Sequence, residues 1–156
     1  MNPKVNIYHA NAKGTGSALT VEVSPALEYI EGKVCISFAA QMPYEGEMVF
    51  PRFDYGNRIT ISLNALEVEK LLEVFEGQTE SIEDGKGFFI VAPASRTSFK
   101  CSHVVEPVPG YALAVERTTA GEETETRSAT FFLTASEGGM LYHGLRSVMG
   151  RLLFGE

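Results

Sequence analysis

The feature that most constrains the fold is a strand that runs directly into a capped amphipathic helix. Isoleucine and leucine alternate with threonine and serine over 59–63, which is the period of a half-buried strand. Asn64 follows at the N-cap position with Glu67 three residues later, a capping box. Apolar residues at helical spacing fill 68–75, and Gly77 can end the helix.

The same pattern returns in the second half of the chain, over 129–150. Thr134 takes the position of Asn64, Glu137 takes that of Glu67, and apolar residues recur at the same helical positions. Chance rarely repeats a strand, a capping box and an apolar helix face in one order. The sequence therefore predicts two copies of one unit.

Each copy also contains three strand-like runs ahead of its strand and helix, so the predicted unit is β-β-β-β-α. The fold class is α+β: one domain (1–156) with an internal duplication and pseudo-twofold symmetry, divided near 1–80 and 81–156. Two antiparallel sheets are expected, with the helices packed between or across them. The segment 27–32 is compatible with a helical turn and 48–53 with a short extra strand. The predicted strands are 5–12, 17–25, 33–41 and 59–63, then 87–93, 98–107, 111–118 and 128–134.

Charge is unevenly distributed along this chain of net charge −7. The range 66–84 holds seven acids against one lysine, a net of −6, while 1–21 and 85–105 carry basic residues and no acid. The net negative charge of the chain argues against a nucleic-acid partner. The two basic ranges, however, coincide with predicted hairpins, where cations could contact such a partner. No apolar run is long enough for a membrane span and the first residues lack a signal-peptide core, so we expect no membrane partner and a cytoplasmic protein.

The sequence offers no recognisable catalytic or cofactor-binding set. Its three histidines, His9, His103 and His143, are scattered without metal-ligand spacing, and there is no phosphate-cradling loop or nucleophile motif. We therefore expect neither enzymatic activity nor a cofactor. Cys35 and Cys101 lie in apolar runs and are predicted to be buried, reduced thiols, with a disulfide or a reactive thiol as the alternative.

The second helix is unusual because Gly138, Gly139 and Gly144 lower its helix propensity while a broad apolar stripe persists. This combination predicts close packing. Two partners remain open: the protein's own sheet and first helix, or the helices of other subunits.

The remaining features favour a platform for single-stranded nucleic acid. Aromatic side chains can stack on bases of any sequence, and cations along a groove bind the phosphates. Candidate phosphate-binding cations are Lys13, Lys33, Lys86, Arg96 and Lys100. Candidate stacking residues are Tyr8, Phe99 and Tyr111, and candidate hydrogen-bond donors are Thr15, Ser17, Thr97 and Ser98.

The run Lys-Gly-Thr-Gly-Ser-Ala-Leu at 13–19, inside this strand order, resembles the Whirly family of single-stranded-DNA binders, whose signature there is Lys-Gly-Lys-Ala-Ala-Leu. This chain has one inserted residue and lacks the second lysine. The resemblance continues through the aromatic-rich segment that enters the first strand–helix pair (50–72), then through 104–115 and 145–156, and so covers nearly the whole chain.

The resemblance implies sequence-independent binding of single-stranded DNA and a homotetramer assembled through the helices. It places Lys13 and Gly14 at the ligand-side edge or at an assembly contact. Without a transit peptide the chain is expected to be a prokaryotic or phage relative, in the cytoplasm of a prokaryotic or phage-infected cell. Two alternatives stay open: an RNA binder on the same scaffold, and a protein-interaction module that uses the acidic first helix.

Overall fold

The computed structural model describes residues 2–155, which form two antiparallel four-stranded sheets and two α-helices. The first sheet has the order β1-β2-β3-β4 and the second β5-β6-β7-β8, so within each sheet every strand pairs with the strands next to it in the chain. The strands of the first sheet are Lys4–His9, Ser17–Ser24, Lys33–Ala40 and Ile59–Leu63. Those of the second are Phe88–Ala92, Ser95–Val104, Gly110–Thr119 and Glu125–Thr134.

A helix follows the last strand of each sheet, and both helices begin as the sequence predicts. Helix α1 spans Ala65–Glu76 and helix α2 spans Ala135–Phe154. Asn64 and Thr134 each form a complete capping box with the glutamate three residues on, and Gly77 ends α1 in the left-handed conformation. The predicted α+β arrangement of β-β-β-β-α units is confirmed. The internal duplication and its division into 1–80 and 81–156 remain a prediction.

Both sheets and both helices share one hydrophobic core. The inner faces carry the apolar residues of each alternating strand, and the rings of Phe38 on β3 and Phe99 on β6 lie 6.3 Å apart between the two sheets. Burying the inner faces together leaves the polar outer faces of both sheets at the surface. The fold therefore presents two separate polar sheet surfaces.

Two arginines of the second sheet bind the free edge of the first. Arg117 on β7 donates from Nη2 to the Thr60 carbonyl at 2.6 Å and from Nε to Thr97 Oγ1 at 3.0 Å. Arg127 on β8 donates to the Asn57 carbonyl. Because Thr60 and Asn57 lie in and beside β4, these bonds connect the two sheets and cover an otherwise open strand edge.

Helices α1 and α2 are joined by an ion network centred on Arg146. Its guanidinium donates to Glu69 at 2.7 Å and to Glu76 at 2.5 Å, and the Tyr142 hydroxyl donates to Glu76 at 2.8 Å. The Tyr142 hydroxyl, followed by Arg146, lowers the pKa of Glu76. Part of the acidity of α1 is thus neutralised inside the molecule.

Three details of the connections differ from the sequence predictions. The turn between β5 and β6 lies at 93–94, so β6 begins at Ser95, three residues before the predicted strand 98–107. No helical turn forms at 27–32, where a single bridge joins Leu27 and Ile30. At 48–53, where the sequence is compatible with a short extra strand, a single bridge joins Phe53 to Gln41, because proline and glycine interrupt this loop.

The glycines of α2 have different surroundings. A Cβ at Gly138 would lie 2.3 Å from Cε2 of Tyr111, whereas nothing lies within 4 Å of one at Gly139 or Gly144. The Tyr111 ring is held in place by its hydroxyl, which donates to the Phe75 carbonyl at 3.1 Å. Close packing is therefore confirmed at Gly138, and the partner is the protein's own sheet.

The contrast gives a matched pair of helix variants. We expect Gly138→Ala to destabilise the protein by about 1–3 kcal/mol, because the added methyl overpacks the Tyr111 ring. Gly139→Ala should instead stabilise it by up to about 1 kcal/mol, since alanine raises helix propensity without a clash. Urea unfolding monitored by circular dichroism measures both changes. Equal effects of the two substitutions would contradict this packing.

Candidate nucleic-acid interface

The outer face of the first sheet forms an open groove of about 510 Å³. Alternation along each strand places the polar residues between the core positions on this face. Neighbouring strands then align them in cross-strand rows, read from the register of the sheet. One row is Lys4, Glu22, Cys35 and Ser62; the next is Asn6, Thr20, Ser37 and Thr60; the third begins with Tyr8 and continues over the small Ala18 and Ala39.

Aromatic rings cluster at the Tyr8 end of this groove. The Tyr8 and Phe53 rings lie 5.4 Å apart, and the Phe53 and Tyr55 rings lie 6.4 Å apart. Tyr8 is 54% exposed and Tyr55 is 37% exposed, so both offer ring surface to a ligand. Partial burial, followed by the neighbouring Tyr8 hydroxyl, raises the pKa of Tyr55, so its ring carries no charge near pH 7 to repel a phosphate.

Local hydrogen bonds hold the Tyr55 segment in place. Tyr55 lies on the 3-10 turn Tyr55–Asn57, and Arg58 donates from Nη1 to the Tyr55 carbonyl at 2.7 Å. The Asn57 amide donates to the Asp54 carboxylate at 2.8 Å. Arg127 of the second sheet binds the same turn at the Asn57 carbonyl. Hydrogen bonds within the protein therefore fix the backbone at the aromatic end of the groove.

The groove lining has more cations than acids, unlike the chain as a whole. Lys4 and Arg58 line it and Glu22 is its acid. Lys33 is exposed at the start of β3 and shares the outer face with Cys35 two residues on. This local balance favours an anionic ligand in spite of the net charge of −7.

The groove floor has donors and acceptors for base edges or phosphates. Thr20 donates to the Asn6 side-chain oxygen at 2.7 Å, which leaves the amide hydrogens of Asn6 available. The hydroxyls of Ser37 and Thr60 share a bond of 2.8 Å. These pairings fix the side chains across three strands without using all of their hydrogen-bonding capacity.

The outer face of the second sheet offers a smaller cleft, of about 350 Å³, together with exposed cations and an exposed ring. Arg96 and Lys100 on β6 are exposed, and Phe89 on β5 is 68% exposed. The cleft includes Phe89, Arg96 and Ser98 together with the acid Glu116. The predicted cations of this hairpin thus lie on one face beside an exposed ring. Lys86, just before β5, is also exposed.

The β1–β2 turn is a structured loop held by Gln41. The Gln41 side-chain oxygen accepts from the backbone N–H groups of Asn11 and Gly16, each at 3.0 Å. Gly14 has φ +72°, and a Cβ there would lie 3.0 Å from the Cα of Pro43, so the glycine is required by the turn itself. Lys13 is exposed.

Three predicted site residues point toward the core, and the prediction that they contact a ligand is wrong for each of them. Phe99 is fully buried in the core and has no ring face for a base. Thr97 is 4% exposed and accepts a hydrogen bond from Arg117. Tyr111 packs against Phe75 at 4.9 Å and under α2. All three sit on the inward alternation of their strands. The other predicted residues stay predictions: Tyr8, Lys13, Gly14, Thr15, Ser17, Lys33, Lys86, Arg96, Ser98 and Lys100.

Most of the residues that line the groove were not predicted from the sequence. Lys4 and Asn6 alternate with buried residues on the same strand as Tyr8, and this period was the available signal. Phe53, Tyr55 and Arg58 come from an aromatic-rich loop, and only the tertiary structure brings that loop beside β1. A further outward ring, Phe89, stands one residue from the buried Phe88, and an apolar run of this kind does not reveal which ring faces out.

Both cysteines are free, and they differ in accessibility. Cys101 is buried and burial raises the pKa of its thiol to about 12, as the sequence predicts for a structural cysteine. Cys35 is only half-buried, lines the groove and has its sulfur 3.4 Å from the Ser62 hydroxyl. The prediction of burial is wrong for Cys35, because its position in β3 alternates outward.

Residues 2–155 contain no cluster of histidine, cysteine or acidic side chains arranged to hold a metal. Among the same residues, neither helix combines the length and apolarity that crossing a bilayer requires.

The fold defines a class of α+β proteins. Its members have two antiparallel sheets whose strands pair in chain order, and a helix follows each sheet. Within it, the chain resembles the crystal structure of WHY1 from Arabidopsis thaliana, with a TM-score of 0.74 and 19% identity over 99% of this chain and 86% of that one. WHY3 from Arabidopsis thaliana gives a TM-score of 0.69 and 22% identity, covering 96% and 89%. The chain has the Whirly fold. Comparison with protein-family models and with curated proteins found no match.

Proposed function

We propose that this protein binds single-stranded DNA largely without regard to sequence and has no enzymatic activity. The observation that carries the proposal is the groove on the first sheet, where exposed tyrosine rings and cations surround a polar floor. Stacking on Tyr8 and Tyr55 would hold bases of any identity. Lys4, Arg58 and Lys33 would bind phosphates and release counterions.

The cross-strand rows of the first sheet suggest how a single strand of DNA would lie on its outer face. Successive rows on one face are two residues apart, about 7 Å along the strands. A ligand lying along the strands would thus pass from the tyrosines over the hydroxyl row to Lys4 and Glu22. Glu22 favours bases over phosphates at that point, because a carboxylate repels a phosphate and accepts from amino groups.

The Whirly fold also supports assembly through the helices, and we include a homotetramer in the proposal. The apolar residues Met140 and Leu153 on α2 are about half exposed, and Gly139 and Gly144 leave room for close approach. Light scattering at several concentrations tests this. A mass that stays monomeric throughout would contradict it.

Cys35 provides a direct test of the groove in the unmodified sequence. Thiolates are the species that alkylating reagents attack, so the buried Cys101 should react far more slowly than Cys35. If the strand covers the groove, oligothymidine that fills about nine-tenths of the sites should slow Cys35 alkylation about tenfold. Mass spectrometry of iodoacetamide-treated protein measures the rate, and Cys35→Ser identifies the labelled residue.

Fluorescence titration of labelled oligothymidine at two salt concentrations accompanies this measurement. Binding that weakens steeply with salt supports the proposal. Binding without protection of Cys35 would place the ligand on another surface. No binding at low salt would refute the proposed function, and a preference for oligouridine would indicate an RNA binder.

A further inference from the structure

The outer edge of β5 is the least protected strand edge of the two sheets. At the other edges, Arg117 binds a carbonyl of β4, Arg127 joins β8 to the first sheet, and β1 includes a lysine. Strand β5, in contrast, consists of the five residues Phe-Phe-Ile-Val-Ala at Phe88–Ala92, with no charge. Natural sheets normally protect such an edge with charges, proline or a covering segment, so an apolar open edge indicates a partner strand.

The backbone of β5 presents a defined set of free groups. A two-residue turn closes the β5–β6 hairpin, and this makes Ala92 and Ser95 a hydrogen-bonded pair. Such pairs alternate in an antiparallel ladder, so Phe89 and Val91 direct their N–H and C=O groups away from β6. Within residues 2–155 no backbone hydrogen bond outside the ladder uses these groups.

We propose that the β5 edge pairs with the β5 edge of a second copy of this chain, antiparallel about Ile90. In this register Phe89 of each copy faces Val91 of the other, and each facing pair exchanges two backbone hydrogen bonds. Donors meet acceptors and apolar side chains meet apolar side chains, with no like charges opposed. Pro93, which has no N–H, ends the ladder.

The strand's own side chains favour a copy over an unrelated peptide. Phe89 and Val91 are 68% and 75% exposed on the outer face, and the proposed register sets each beside its apolar counterpart. The pairing would join two second sheets into one eight-stranded sheet. Arg96 and Lys100 of both copies would then lie on one continuous face, separate from any contact through the helices.

Site-specific cross-linking tests the register without nucleic acid, so its result does not depend on the proposed function. Ile90→Cys in a Cys35→Ser background places the two new thiols directly opposite each other. In a non-hydrogen-bonded pair the Cα atoms lie about 4.5 Å apart, within disulfide range. The matched control is Thr130→Cys, an exposed position on β8 at the other edge of the same sheet.

With oxidised glutathione as the oxidant, we expect at least about tenfold more disulfide-linked dimer from the position 90 variant than from the control, because only the former is aligned. Equal cross-linking of both variants, or none, would overturn the proposal.

A disulfide-free test covers the case in which Ile90→Cys folds poorly. Phe89→Glu with Val91→Glu should abolish the pairing, and so should the corresponding double lysine variant.

Mixing the glutamate and lysine variants should restore dimers, because each Glu then faces a Lys across the strands. Native mass spectrometry of the mixture reads the heterodimer directly. Glutamate variants that assemble as the wild type does would overturn the proposal. Dimers that are lost and do not return on mixing would also overturn it, and would favour another protein's extended segment as the occupant of this edge.

Discussion

Replacing Tyr8 and Tyr55 together with alanine is expected to weaken oligothymidine binding roughly a hundredfold. Stacking contributes about 1–3 kcal/mol per base, and the loss of two rings that share one end of the groove corresponds to about 3 kcal/mol. Both rings are exposed, at 54% and 37%, so stability should change little. Fluorescence titration measures the affinity, and urea unfolding checks the fold.

Two control variants separate stacking from other effects. Phenylalanine at both positions keeps the rings and removes only the hydroxyls, so affinity should stay close to that of the wild type. Tyr29→Ala removes a tyrosine that is 91% exposed in the β2–β3 loop, outside the groove, and should not change binding. The slope of affinity against salt should be unchanged in all three, because their cations remain. An equal loss in the phenylalanine variant would mean that the hydroxyls, and not the rings, hold the ligand.

Local patterns sufficed to predict the framework of this protein. The capping boxes at Asn64 and Thr134 and the period-two strand at 59–63 depend on neighbours within a few residues, and the structure contains all three. The β-β-β-β-α order follows from repeating such signals. These elements were predictable because short-range sterics and hydrogen bonds determine them.

The site was harder to predict because it depends on which face of each strand points out. Strand β6 contains Thr97, Phe99 and Cys101 on one face and Arg96, Ser98 and Lys100 on the other. Phe99 was among the predicted stacking residues, although its alternation with Arg96 and Lys100 indicated that it faces inward. The Tyr55 segment reaches the groove through a contact with β8 seventy residues away, between Asn57 and Arg127, and no local period encodes such a contact.

The second large effect is expected for Phe99→Ala, and it concerns stability. The ring is fully buried and lies 6.3 Å from Phe38 and 6.4 Å from Phe88, so truncation leaves a cavity between the sheets. Phenylalanine-to-alanine changes at such positions typically cost about 3–5 kcal/mol. That is a large part of the roughly 5–15 kcal/mol that stabilises an ordinary domain. Urea unfolding should record the loss as a lower midpoint with little change in slope.

Phe89→Ala supplies the matched control one strand away. Its ring is 68% exposed on the outer face, so at concentrations where the chain is monomeric the free energy of unfolding should change by no more than about 0.5 kcal/mol. The two variants remove the same ring from adjacent strands and differ only in the face that loses it. If Phe99→Ala kept its stability and lost oligonucleotide binding, the β6 alternation would be reversed and the second sheet would bind DNA through the face assigned here to the core.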